Sequence, residues 1–318
     1  MQQTRKKIFI SGAGGMLGEA FYRVFKKDYM LSCTDKDVNE TWLSYLDFRD
    51  FEEYKSQVVS FRPDYLFHLG AYTDLEYCEQ HVEDTYNTNT TSVKYAVDIA
   101  NYLNIPLLYI STAGIFDGKQ EVYDDWDIPN PLGHYAKSKY FGEKYVSEKA
   151  QIFLICRAGW MMGGGPQKDK KFINKLIQQI ADGKKELFVV NDKDGTPTFT
   201  VDFAKNVKLL LETNSWGLYN LVCKEQTSRL EVAYELINIL GIKDQVNIIE
   251  VSSNHFKDVY YAERPPCESL ICKKLESMNM YTMQDWKTAL REYLDSYFSE
   301  FLKEAFVFRH RAIKNISL

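Results

Sequence analysis

The sequence predicts an α/β fold: a doubly wound parallel sheet with a smaller, irregular C-terminal lobe. Three observations carry this. Short apolar runs of strand character alternate with helical periodicity from Lys7 to Arg157, the pattern of parallel strands covered by helices on both faces. A glycine cluster, Gly12 to Gly18, lies between the first strand and the first helix. Asp35 ends the second strand about 20 residues further on, the place of an acidic residue in dinucleotide-binding sheets.

The elements follow in order. Lys7 to Ser11 is a short buried strand. Leu17, Ala20, Phe21, Val24 and Phe25 then recur at helical spacing. Tyr29 to Thr34 is the second strand. A turn at Phe61-Arg62-Pro63-Asp64 leads into a strand from Tyr65 to Leu69. Thr90 to Leu103 is helical, with Val93, Ala96, Val97 and Ala100 on one side. Pro106 to Thr112 is a strand, Tyr135 to Lys149 a helix, and Ile152 to Arg157 a strand. Beyond residue 160 the alternation fades. Gly163-Gly164-Gly165-Pro166 is a break, Lys170 to Ala181 a helix, and Gly195 to Thr198 a loop. Val201 to Glu212 is a helix returning to the sheet, and two further helices are expected at about 229–240 and 284–304. The expected division is a dinucleotide-binding domain over 1–160, joined by a returning segment near 196–222, and a substrate-binding lobe over most of 161–318. The 318 residues fit a prior of two domains. From Ala305 onward the chain carries cations and no acid, as a solvated end would.

Composition narrows the function. A net charge of −5 argues against nucleic-acid binding. No apolar run approaches the ~20 residues of a membrane span, and the run Ile8-Phe9-Ile10 is too short for a signal-peptide core. The six cysteines form no C-x-x-C pair and histidine is rare. A zinc site is therefore not expected, and reduced thiols point to the cytoplasm.

Gly12, Gly15 and Gly18 are three residues apart, in strand–loop–helix context. The first permits a tight turn, the second lets backbone approach a pyrophosphate at the helix N-terminus, and the third lets helix and strand pack closely. Asp35 is placed to bind the adenosine ribose. The second motif is Tyr-x-x-x-Lys, which puts a phenol and an ammonium one helical turn apart. A neighbouring lysine is expected to lower the tyrosine pKa from ~10 towards a useful range. The spacing occurs four times, from Tyr22, Tyr135, Tyr140 and Tyr145. Only Tyr135 opens a helix downstream of a strand ending in Ser111-Thr112. There, at the carboxyl end of the sheet where such folds bind ligands, Thr112, Tyr135 and Lys139 can converge on one carbonyl oxygen.

With these landmarks the chain resembles the extended short-chain dehydrogenases/reductases, which have a Rossmann sheet. Within them it is most similar to the dTDP-4-dehydrorhamnose reductase family of nucleotide-sugar 4-ketoreductases. The resemblance runs to about residue 298. It rests on the glycine loop, Leu46-Asp47-Phe48, His68 to Thr73, Asn89 to Val93, Ser111-Thr112, Pro131 to Lys144, Arg157 to Trp160, Val190 to Thr198 and Glu263-Arg264-Pro265. It implies NAD(P)H as cofactor and a nucleotide-linked 4-keto-6-deoxyhexose as substrate, with a homodimer as a candidate assembly. Gly15, Met16 and Leu17 would line the pyrophosphate, Asp47 and Phe48 the adenine. Gly70, Ala71 and Tyr72 would lie on the nicotinamide side, where Lys139 would hold the ribose. Thr73, Thr112, Ala113, Trp160 and Arg264 would face the substrate, Arg264 meeting its diphosphate.

The chain also departs from the family. Ala113-Gly114-Ile115 stands where Asp-Tyr-Val is usual, so the carboxylate beside Thr112 is missing. Ala158-Gly159 replaces two hydroxyl residues before Trp160. Ala20 stands where some members bind magnesium through a glutamate, so no metal is expected. Two alternatives remain within the resemblance: a non-catalytic regulatory subunit of methionine adenosyltransferase, and an epimerase/reductase, which would need an additional Cys/His acid–base pair near the sugar.

Overall fold

A computed structural model describes residues 5–299. Seven parallel strands form the main sheet: β1 (Lys7–Ser11), β2 (Met30–Asp35), β3 (Leu43–Tyr45), β4 (Tyr65–His68), β5 (Leu107–Thr112), β6 (Phe153–Ala158) and, much later in the chain, Gly217–Asn220. Their spatial order is β3-β2-β1-β4-β5-β6 and then the late strand. The order reverses between β1 and β4, which opens a crevice at the carboxyl ends of these strands.

Both faces of the sheet are buried, which is why its strands are nearly continuous apolar runs. Ile8, Ile10, Phe67, Leu108, Leu154 and Cys156 join one core, while Phe9, Leu66, Leu107, Tyr109 and Ile155 join the other. Helix α1 (Met16–Phe25) covers the first face, and Phe21 packs edge-on against Phe67 at 5.4 Å. Helices α2 (Phe51–Phe61) and α5 (Ser92–Leu103) cover the second. Between β4 and α5 lie two short helices, α3 (Leu75–Gln80) and α4 (Val82–Tyr86), and a π-type turn over Asn87–Thr91. Helix α6 (His134–Lys149) connects β5 to β6.

The C-terminal half alternates between the sheet and the smaller lobe. Short strand β7 (Trp160–Met162) leads to α7 (Gly165–Lys168) and α8 (Phe172–Ala181). Next come β8 (Glu186–Val190), β9 (Asp194–Gly195) and β10 (Pro197–Phe199). Helix α9 (Thr200–Glu212) returns to pack on α1, as Phe203 against Phe21 shows, and leads into the late sheet strand, β11. The chain then forms β12 (Thr227–Ser228), α10 (Arg229–Ile239), β13 (Asn247–Val251), β14 (Cys267–Glu268), α11 (Lys273–Ser277) and α12 (Trp286–Tyr297). These lobe strands make three small pairings: β10 with β7, β12-β9-β14, and β13 with β8.

One expectation is corrected. Gly195 to Thr198 is not a free loop: Gly195 pairs with Thr227 and Glu268, and Pro197 to Phe199 pair with β7. α12 ends at Tyr297, and residues 300–304 of the expected helix, like the cationic segment from Ala305, lie outside the described residues. Among the described residues no helix is long and apolar enough to cross a membrane, and all six cysteines are buried free thiols.

Candidate active site

The glycine loop is built as its spacing requires. Gly12 has φ +74°, and a Cβ there would stand 2.3 Å from Gly70 Cα, so the ends of β1 and β4 touch backbone to backbone. A Cβ at Gly18 would stand 2.1 Å from the Ala13 carbonyl oxygen, because α1 lies tight against its own loop. At Gly15 the situation is the opposite: a Cβ would meet nothing within 4 Å. Gly15 is also the N-cap of α1 and provides no side-chain cap. The helix therefore presents backbone N–H groups and its positive end to open space, where an anion is favoured. Met16 lies in this first turn, while the Leu17 side chain is buried in the core. A pyrophosphate fits this cradle.

Asp35 stands at the rim. Its carboxylate accepts from Gly14 N–H at 2.8 Å and from Asp37 N–H at 3.0 Å. Lys168, at the end of α7, crosses from the lobe to donate to the Gly14 carbonyl at 3.1 Å and pairs with Glu40 at 3.1 Å. The lobe is thereby fastened to the loop. Phe48 lies against Gly70, where a Cβ would stand 2.1 Å from the ring, and meets His68 edge-on at 5.0 Å. Asp47 is held by Arg49, whose guanidinium keeps the carboxyl below its usual range. His68 is not a catalytic group. It is buried among Ser11, Tyr54 and Ser92, and burial pushes its pKa down to about 3.

Tyr135 is positioned by its helix start. Gly133, the N-cap of α6, has no side chain to cap with, so Glu79 of α3 does it, accepting from His134 N–H at 2.6 Å. Asn89 in the π-type turn then ties two walls together. It accepts from Tyr72 N–H at 2.8 Å and donates to the Tyr72 carbonyl and to Ser138 Oγ, both at 3.0 Å. Ala71 and Tyr72 are thus held beside α6. Thr73 is held by Lys171, whose ammonium donates to both its carbonyl and its hydroxyl at 3.0 Å.

At the end of β5, Thr112 Oγ1 accepts from Gly114 N–H at 3.2 Å and interacts with the Tyr135 hydroxyl. The expected electrostatics are reversed here. Burial pushes Tyr135 up to about 12, against the smaller opposing pull of Thr112. Lys139 does not lower it; burial instead pushes Lys139 down to about 7. Its ammonium lies 4.3 Å over the Tyr109 ring rather than in an ion pair. Desolvation is the largest cause of both shifts because both groups are removed from water. A phenol so placed is a proton donor across the neutral range.

Two substrate-side expectations also change. Ala113 is 1% exposed and its side chain packs in the main core, away from the substrate side expected for it. The Arg264 guanidinium is already engaged, with both oxygens of Glu76 at 2.8 Å and with the Ala262 carbonyl. Trp160 is held by residues of three lobe elements. Its indole N–H donates to Glu268 Oε2 at 2.7 Å, its edge abuts Gly195, and the Arg229 guanidinium stacks on it at 3.8 Å. Arg229 also lies 4.9 Å from the Phe172 ring centroid. Among the described residues it has no carboxylate within ion-pair distance. Burial pushes its pKa down to about 10, which leaves it charged at neutral pH.

A family model described as the RmlD substrate binding domain matches residues 6–299. The chain belongs to this family. It is 27% identical over 294 residues to a dTDP-4-dehydrorhamnose reductase of Aggregatibacter actinomycetemcomitans, covering 90% of this chain and 97% of that one. It is 24% identical to the methionine adenosyltransferase 2 subunit beta of Danio rerio, over 91% of this chain and 90% of that one. The crystal structure of Bacillus anthracis dTDP-4-dehydrorhamnose reductase in complex with NADP superposes with a TM-score of 0.84 at 25% identity, covering 92% of this chain and all of that one.

Four residues of this RmlD-domain site carried no role in the sequence: Glu79, Lys168, Arg229 and Glu268. Each reaches the site from a different element. The capping box Ser228–Glu231 marks where α10 starts, but not what Arg229 covers.

Proposed function

We propose that this protein is an NAD(P)H-dependent reductase of the 4-keto group of a nucleotide-linked 4-keto-6-deoxyhexose. The observation that supports the reading is Tyr135 meeting Thr112 at the carboxyl end of β5, with Lys139 one turn further along α6 over the Tyr109 ring and an open anion cradle at Gly15. The glycine loop and the α1 N-terminus would hold the cofactor's pyrophosphate, Asp35 the adenosine ribose and Lys139 the nicotinamide ribose. When bound, the cofactor supplies the hydride. Thr112 and Tyr135 hold the substrate carbonyl oxygen, and Tyr135 delivers the proton to it. The pKa of about 12 keeps that proton on the phenol until oxyanion character develops. Arg229 is the cation we assign to the substrate diphosphate, since Arg264 is held by Glu76. Trp160 and Thr73 border the sugar.

The test is isotopic. NADH or NADPH deuterated at nicotinamide C4 should transfer its label to C4 of the sugar, read by NMR of the product. A reduced product without deuterium at C4 contradicts the reading. The regulatory-subunit reading draws on the similarity to methionine adenosyltransferase 2 subunit beta. Co-purification with a synthetase, with no sugar turned over, would favour it.

A further inference from the structure

A carboxylate from a distant part of the chain, Glu268 of β14, comes close to Thr112. Gly114 does not adopt a positive φ, so its backbone does not require glycine. What glycine avoids there is crowding. A Cβ at position 114 would stand 3.2 Å from Glu268 Oε1, 3.5 Å from Thr112 Oγ1 and 3.9 Å from Tyr135 Cε1. The two groups assigned to the substrate carbonyl and a carboxylate oxygen of β14 therefore converge around the buried Gly114.

Glu268 is divided between two tasks. Oε2 takes the Trp160 indole N–H at 2.7 Å, which fixes the direction of the side chain. Oε1 lies against Gly114, on the side where Thr112 and Tyr135 also lie. If holding the indole were its only purpose, one acceptor atom would suffice. β14 is itself clamped: Cys267 and Glu268 pair with Asp194 and Gly195, and the Trp160 edge abuts Gly195. Oε1 is thus a pre-positioned acceptor beside the reacting carbonyl.

We propose that Glu268 is a specificity-determining residue that accepts a hydrogen bond from a substrate hydroxyl on the carbon next to the reacting carbonyl. This rests on the reductase reading above. With the carbonyl oxygen between Thr112 and Tyr135, a vicinal hydroxyl is the substrate group nearest Oε1. An ionised acceptor facing a hydroxyl makes a stronger bond than a neutral one, and left unpaired it disfavours an analogue without the donor.

The experiment uses ligands that cannot be reduced. Binding of dTDP, dTDP-glucose and dTDP-3-deoxyglucose is measured by calorimetry for the wild type, Glu268→Gln and Glu268→Ala. The wild type should favour dTDP-glucose over its 3-deoxy analogue by about 10- to 100-fold. Glu268→Ala should bring that ratio close to one, whatever common change in affinity it makes for all three ligands. Glu268→Gln keeps an acceptor for the indole and should retain Trp160 emission, yet lose most of the preference. An undiminished ratio in Glu268→Ala overturns the proposal. So does an equal loss for all three ligands, the signature of a carboxylate that only supports Trp160. If neither sugar binds the wild type more tightly than dTDP does, the nucleotide-sugar reading fails, and the proposal with it.

Discussion

Replacing Lys139 by methionine should make the protein more stable and less active, and the two effects should differ in their pH dependence. Methionine keeps the length and apolar stem and removes the ammonium. In the folded protein Lys139 loses its proton at about 7, against 10.5 for an unperturbed lysine. Between these values the unfolded chain binds the proton and the folded chain does not, so this group makes stability rise with pH over that window. Below about pH 7 both states are protonated and the full burial penalty applies. The gap corresponds to roughly 4–5 kcal/mol as a ceiling. Relaxation and water entry in a real interior reduce it, and we expect Lys139→Met to gain ~2 kcal/mol at pH 6, a few degrees in Tm, and little at pH 10. Turnover should fall at every pH. The wild-type kcat/KM should also decline above about pH 7 as the ammonium discharges, and the variant should lack that limb. Thermal unfolding at pH 6 and pH 10, with initial rates across the same range, provides the check. A variant equally stable or less stable than the wild type at pH 6 would refute the claim that desolvation of Lys139 is the dominant local term.

Other outcomes follow from the same geometry. Gly15→Asp should fold, because its side chain enters open space, yet bind no NADH or NADPH in a fluorescence titration, because its charge faces the pyrophosphate cradle. Tyr135→Phe should lower kcat by about 10²–10⁴ with cofactor affinity retained, whereas Tyr140→Phe and Tyr145→Phe should leave kcat nearly unchanged. Arg157 and Glu143 form a buried bidentate pair between β6 and α6, at 2.7 and 3.1 Å. Glu143→Gln should therefore destabilise the protein by about 3–5 kcal/mol in urea unfolding, by leaving a buried guanidinium without its counter-charge.

How much of this was legible depends on the range over which each element is determined. β1, β4, β5 and β6 stand out in the sequence because both their faces are buried, which forces unbroken apolar runs such as Ile8-Phe9-Ile10 and Leu107-Leu108. β3 does not: it has three residues, and Ser44 and Tyr45 are exposed. Helix α2 also passed unmarked, since charged and polar residues separate its two buried ones, Tyr54 and Val58. Gly12 and Gly18 are readable residue by residue because each makes a backbone approach that only glycine allows, whereas Gly15 faces open space. Tyr135 was selected from four equivalent spacings by its place after β5. The substrate side was less readable. Arg264 carries a free-looking charge in sequence, and only the fold brings Glu76 to it. Glu268 lies on a two-residue strand with no periodicity, and its partners Trp160 and Gly114 are more than a hundred residues away. The direction of the Tyr135 and Lys139 pKa values was likewise hidden, because spacing reports proximity and says nothing of burial.

The most direct test of the central claim is the oxidation of NADH and NADPH by the purified protein against a panel of nucleotide-linked 4-keto-6-deoxyhexoses, followed at 340 nm and repeated with Tyr135→Phe. The account predicts that at least one sugar is reduced by the wild type and that the phenylalanine variant turns over the same sugar about 10²–10⁴ times more slowly. A Tyr135→Phe protein with near-full activity, or a wild type that binds the cofactor and reduces no member of the panel, would contradict it.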